Sequence, residues 1–111
     1  MFNRLRRYWD NRYRVLDEND INYKKAVQFQ KKGAVLIDVR SPNEYKEGHL
    51  NGAVLIPEYE IGTKIVNMIP NRDKNIVVYC KSGARAKLAM ETLNKLGYKN
   101  VYNIYNGLDG I

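Results

Sequence analysis

The chain's single cysteine stands in the run Cys80-Lys81-Ser82-Gly83-Ala84-Arg85, between an apolar stretch and a segment with helical spacing. A tight loop that leads from a strand into a helix can turn several backbone N–H groups toward one atom, and the helix start adds partial positive charge. Gly83 permits the curl without a Cβ clash. Lys81 and Arg85 bring two full positive charges, suited to drawing in an anionic substrate. All three effects favour a thiolate, so Cys80 is expected to act as a nucleophile. The competing reading is a buried cysteine at a strand end that only packs, which is common for a free cysteine. The strand-Cys-x-x-Gly-x-Arg-helix context argues for chemistry.

The flanking residues must build a scaffold for that loop. Ile76-Val77-Val78-Tyr79 predicts a strand with Cys80 at its carboxyl end. Two more unbroken apolar runs, 34–39 and 53–56, suit strands covered on both faces, and 101–104 suits a last strand. Helical patterns lie between them. One spans 22–32, with Tyr23, Ala26, Val27 and Gln30 facing inward and Gly33 as its stop. Another opens at Ser41-Pro42-Asn43-Glu44, a capping box with proline at the first helical position. Ile61, Ile65 and Ile69 mark a third, ended by Pro70. Ala86, Ala89, Met90 and Leu93 mark a fourth, ended by Gly97. Alternating strands and helices predict an α/β layer fold with a mostly parallel sheet. Ligands of such sheets sit beyond the carboxyl ends of the strands, where Asp38, Arg40, Cys80 and Tyr105 to Gly107 would gather.

Bulk properties narrow the classes. With 111 residues the chain allows one domain. An apolar content of 44% excludes global disorder. One cysteine excludes an internal disulfide, and one cysteine with one histidine cannot build an ordinary zinc site. A lone thiol suits a reducing compartment, so the cytoplasm is expected. No apolar run nears the roughly 20 residues of a membrane span. Residues 1–20 read as a basic leader and 21–111 as the domain. Five arginines against Asp10 give residues 1–14 a charge of +4 out of the chain's +7. The leader could place Phe2, Leu5, Trp9 and Leu16 on one helical face. Peripheral membrane contact through 1–14 is the lesser expectation, and nucleic acid is not an expected partner, because short charge runs usually face water.

Three segments together resemble the rhodanese family: Asp38-Val39-Arg40-Ser41-Pro42-Asn43-Glu44-Tyr45, Gly48-His49-Leu50-Asn51-Gly52-Ala53 and Cys80-Lys81-Ser82-Gly83-Ala84-Arg85. They stand in family order and spacing, over about 21–107. The resemblance implies a three-layer α/β/α sandwich with a central, mostly parallel sheet. It implies a sulfurtransferase in which Cys80 takes a sulfane sulfur from thiosulfate or a persulfide, then passes it to a thiol, cyanide or an acceptor protein. Lys81, Ser82, Gly83, Ala84 and Arg85 would bind substrate and persulfide, with no metal or organic cofactor. Asp38 and Arg40 are expected to position the cysteine loop, and His49 to make structural hydrogen bonds. The related phosphatases and arsenate reductases have a loop one residue longer, which disfavours that rival. A further rival is a non-catalytic binding module. Many family members carry paired glycines, a tryptophan and another helix after the last strand. Here Asn106-Gly107 stands there and the chain ends at Ile111, which implies a less enclosed site.

Overall fold

The structure is a computed structural model that describes residues 16–111, so the helical reading of the leader lies outside the described residues except for Leu16. Five parallel strands form one sheet: β1 (Asp20–Ile21), β2 (Val35–Asp38), β3 (Val54–Leu55), β4 (Ile76–Tyr79) and β5 (Val101–Ile104). Their spatial order is β1-β5-β4-β2-β3. Four α-helices accompany them: α1 (Tyr23–Lys31), α2 (Pro42–Glu47), α3 (Ile61–Met68) and α4 (Ala84–Lys95). Short 3₁₀ turns occupy Glu58–Glu60 and Gly107–Gly110.

Side chains alternate across the sheet because successive Cβ atoms of a strand point to opposite faces. On one face Ile37, Val39, Ile76, Val78, Cys80 and Val101 pack under α3 and α4, through Ile61, Ile65, Ala86, Ala89, Met90 and Leu93. On the other, Leu36, Val77, Tyr79, Ile21 and Ile104 pack with Ala26 and Phe29 of α1, and with Tyr45 and Leu50 around α2. The three-layer α/β/α sandwich and parallel sheet expected from the motifs are both present.

Local signals act where they were read. The Ser41 hydroxyl accepts from the Glu44 amide at 3.3 Å, and Glu44 Oε1 accepts from the Ser41 amide at 3.1 Å, closing the capping box. Two details differ. Asp20, assigned to the leader, opens β1, a two-residue strand too short to show a periodic pattern. Of the expected inner face of α1, only Ala26 is buried. Tyr23, Val27 and Gln30 instead line an open groove of about 330 Å³, shared with Leu36, Leu50 and Ile104. Helix α1 meets the sheet through Ala26 and Phe29, while Tyr23 and Val27 face this groove.

Candidate active site

Strand β4 lies between β2 and β5, and the chain reverses its lateral direction across the sheet between β3 and β4. Cys80 therefore leaves the carboxyl end of a central strand beside the crevice where parallel α/β sheets collect ligands. Its side chain points to the α4 face, by the alternation described above, and is 1% exposed. Burial does not leave the sulfur among carbons alone. Sγ accepts the amide of Gly83 at 3.0 Å and that of Ala86 at 3.4 Å. Gly83 caps α4 with φ of +107°, a conformation that a β-carbon would strain.

The rest of the loop is oriented from outside. In the Gly107–Gly110 turn, the Leu108 amide donates to the Cys80 carbonyl at 3.0 Å, and the Asp109 amide to the Lys81 carbonyl at 2.9 Å. A trans peptide sets its N–H opposite its C=O, so both bonds turn the amides of Lys81 and Ser82 away from the turn. The amides of Lys81, Ser82, Ala84 and Arg85 have no acceptor among the described residues. Unpaired donors at a helix start form a ready site for a negative atom.

The turn also lies close against the backbone of Cys80 and Lys81. Gly107 has φ of +54°, and a Cβ there would lie 2.2 Å from the Cys80 oxygen and 2.7 Å from the Lys81 carbonyl carbon and oxygen. Gly107→Ala is thus expected to cost about 2–4 kcal/mol, from left-handed strain plus a backbone clash. Urea unfolding measures it; a loss under 1 kcal/mol would contradict so close an approach.

The two basic residues are both ion-paired. Arg85 does not reach freely into the site. Its Nη1 and Nη2 donate to Glu44 Oε1 and Oε2 at 2.7 and 3.0 Å. Lys81 Nζ stands 3.4 Å from Asp109 Oδ1, an exposed pair. Hydrogen bonds to Glu44 raise the Arg85 pKa above its ordinary value; burial opposes this, and the charges of Glu44, Cys80 and Asp38 add to it. Glu44 is lowered to about 2, chiefly by Arg85, against burial and with help from Ser41. A depressed carboxyl stabilises the fold above its unfolded value near 4.5 and loses that stabilisation as pH falls toward 2. The pair is about one-third exposed, so solvent screening leaves a contribution of about 1 kcal/mol. Urea midpoints compared between pH 6 and pH 2 should show wild type losing that much more than Glu44→Gln.

Asp38 and Arg40 form a tight buried pair. Arg40 Nε donates to Asp38 Oδ1 at 3.0 Å, and Nη2 to Oδ2 at 2.7 Å. Tyr79 Oη donates to Asp38 Oδ2 at 2.8 Å and accepts the Leu50 amide at 3.0 Å. Arg40 Nη2 also donates to the Gly48 carbonyl at 2.7 Å. Burial and the bond to Asp38 push the Tyr79 phenol upward, against the Leu50 amide. Asp38 and Arg40 were expected to position the cysteine loop, but among the described residues neither makes a hydrogen bond or ion pair to residues 80–85. Asp38 and Tyr79 are register partners on the α1–α2 face, whereas Cys80, one residue on, faces α4. The link to the loop runs through the Tyr79 backbone.

His49 takes no part at the sulfur. Its ring stacks on Tyr45 with centroids 3.6 Å apart, and Nδ1 lies 2.9 Å from the Tyr45 carbonyl oxygen. Sequence reasoning missed Tyr79, Glu44 as the partner of Arg85, and the Leu108 and Asp109 amides. The available signal was topological, since each sits at a strand's carboxyl end or just beyond it. Among the described residues no group of three or more His, Cys, Asp and Glu side chains is arranged to hold a metal ion. No helix among them is long and apolar enough to cross a membrane.

The chain is similar to known proteins in sequence and fold. The family model of the rhodanese-like domain matches residues 22–111. Thiosulfate sulfurtransferase PspE of Escherichia coli is 37% identical over 67 residues, covering 60% of this chain and 64% of that protein. A tRNA uridine(34) hydroxylase of Buchnera aphidicola is 29% identical over 97 residues, covering 84% of this chain and 30% of that protein. The chain thus spans less than two-thirds of these curated relatives. Among solved structures, an E. coli rhodanese with anions superposes with a TM-score of 0.65 at 34% identity, over 71% of this chain and 92% of that one. With a family match over most of its length and the cysteine loop, sheet order and capping box in place, the chain belongs to the rhodanese-like domain family.

Proposed function

We propose that this domain is a sulfurtransferase that carries a sulfane sulfur as a persulfide on Cys80, from thiosulfate or a persulfide donor to a thiol or cyanide acceptor. The reading is carried by one observation. A sulfur at the start of α4 receives two amides, while four more amides of the same loop have no acceptor among the described residues.

The chemistry divides into two displacements. In the first, the Cys80 thiolate attacks the outer sulfur of thiosulfate. A Cys80 S–S bond forms, the donor's S–S bond breaks, and sulfite leaves with the electron pair. In the second, cyanide or a thiolate attacks the outer sulfur of the persulfide. Thiocyanate or a new persulfide departs, and the Cys80 thiolate returns. The loop amides of Lys81, Ser82, Ala84 and Arg85 would stabilise the anionic outer sulfur, being donors already oriented by the fold. Neither step needs a general base, consistent with His49 being occupied elsewhere. An acceptor protein could stand in for the small thiol, and a reducing compartment such as the cytoplasm would keep Cys80 free between turnovers.

Intact-mass measurement after incubation with excess thiosulfate tests the proposal. The expected result is a gain of one sulfur atom, reversed by cyanide with release of thiocyanate. No gain from either thiosulfate or a hydropersulfide would reject it.

A further inference from the structure

Among the described residues, Arg85, Lys81 and Arg40 are each matched by a carboxylate. Arg85 and Glu44 meet fork to fork through two hydrogen bonds, a geometry that fixes both groups. Lys81 stands against Asp109. Arg40 is committed to Asp38 on the other face of the sheet. The loop therefore has no net charge from these six side chains, although its sequence offers two cations beside the nucleophile. Arg85 stands in the first turn of α4, between Gly83 and Ala86, whose amides reach the sulfur.

This balance bears on which donor the site favours. Thiosulfate arrives as a dianion and is repelled by the thiolate it must meet. With Arg85 and Lys81 paired, it recovers only the weaker attraction of backbone dipoles and neutralised pairs. A hydropersulfide of a neutral thiol brings at most one negative charge, as R–S–S⁻, and reacts through its R–S–SH form, so it meets less repulsion than the dianion.

We propose that Glu44, with Asp109 in a lesser role, sets donor specificity by masking Arg85 and Lys81, biasing the site against dianionic thiosulfate and toward hydropersulfide donors. The inference rests on the persulfide reading above. In the favoured step the Cys80 thiolate attacks the outer sulfur of R–S–SH. The Cys80 S–S bond forms, the donor S–S bond breaks, and R–S⁻ leaves with the electron pair, so Cys80–S–SH results and charge is conserved. Glu44 acts through Arg85 and is a positioning residue.

Glu44→Gln isolates the charge, because glutamine also serves at the third position of a capping box and keeps the bond to the Ser41 amide. The readout is the ratio of kcat/KM for thiosulfate to kcat/KM for the hydropersulfide of an uncharged thiol. Removing one negative charge acts more on a dianion than on a monoanion, and at water-like screening this should raise the ratio about two- to threefold. The gain should fall mainly on the thiosulfate KM and shrink in high salt. It should vanish in Glu44→Gln/Arg85→Gln, which has no cation left to unmask. Asp109→Asn, on the exposed Gly107–Gly110 turn, provides an independent variant and should move the ratio the same way by a smaller factor. A ratio unchanged or lowered in both variants overturns the proposal, as does an equal rise for both donors, which would place the effect on the sulfur itself. Failure of the parent reading looks different: neither donor would load wild-type Cys80.

Discussion

Cys80→Ser is expected to abolish sulfur loading, leaving the intact mass unchanged after thiosulfate or hydropersulfide treatment, and to lower turnover by on the order of a thousandfold or more. A serine hydroxyl does not ionise near neutral pH, so the displacement loses its nucleophile. Oxygen also cannot carry the transferred sulfur in a persulfide. The substitution is mild for the fold, which makes the loss interpretable. Serine Oγ can accept the same Gly83 and Ala86 amides that now reach Sγ at 3.0 and 3.4 Å. Stability should therefore change by no more than about 1 kcal/mol. Circular dichroism and urea unfolding would establish that the variant is native before its mass is read. A sulfur atom still gained by the Cys80→Ser protein would place the chemistry elsewhere, with Cys80 left as a packing residue. That outcome would remove the support for the amide cradle as a functional site.

Asp38→Asn should produce the largest loss of stability, about 3–5 kcal/mol, because it strands a buried guanidinium. The Asp38 side chain is 0% exposed and that of Arg40 7%, so water cannot take over the lost charge. Asparagine offers one acceptor oxygen in place of two. It cannot at once satisfy Arg40 Nε and Nη2, the Arg40 amide and the Tyr79 hydroxyl, all of which now donate to the carboxylate. Arg40 would then hold the Gly48 carbonyl less firmly, and Tyr79 the Leu50 amide. The whole passage from β2 to β3 would loosen. Urea denaturation gives the magnitude, and amide hydrogen exchange at Leu50 gives the location. A loss below 1 kcal/mol would show that the ion pair is dispensable. Since domains of this size have a total stability of roughly 5–15 kcal/mol, the expected loss could leave a substantial unfolded fraction at physiological temperature.

The parts of this protein that could be read from the chain are those decided by near neighbours. The Ser41 capping box, the glycine stops at Gly33 and Gly97, and the apolar runs of β2 and β4 each depend on residues a few positions apart. So does the cysteine loop, whose curl follows from Gly83 between a strand and a helix. Strand β1 was not legible because two residues carry no period. It exists through its pairing with β5, where Asp20 lies beside Asn103. Helix α1 was read with too wide a buried face, since the helical pattern shows which side is apolar but not how closely the sheet approaches it.

Local order thus determined that a nucleophile would stand in an amide-lined turn at a strand's end. It could not determine what the surrounding charges would do. Arg85 finds Glu44 41 positions away, Tyr79 finds Asp38 at the same separation, and the Gly107–Gly110 turn grips the Cys80 carbonyl from beyond β5. Those partners come together only when the strands align in parallel register and their carboxyl ends share one edge. The physical reason is one of range. Capping and chain curl are settled within a helical turn, whereas the pairing of charges depends on distances that exist only after the sheet has assembled.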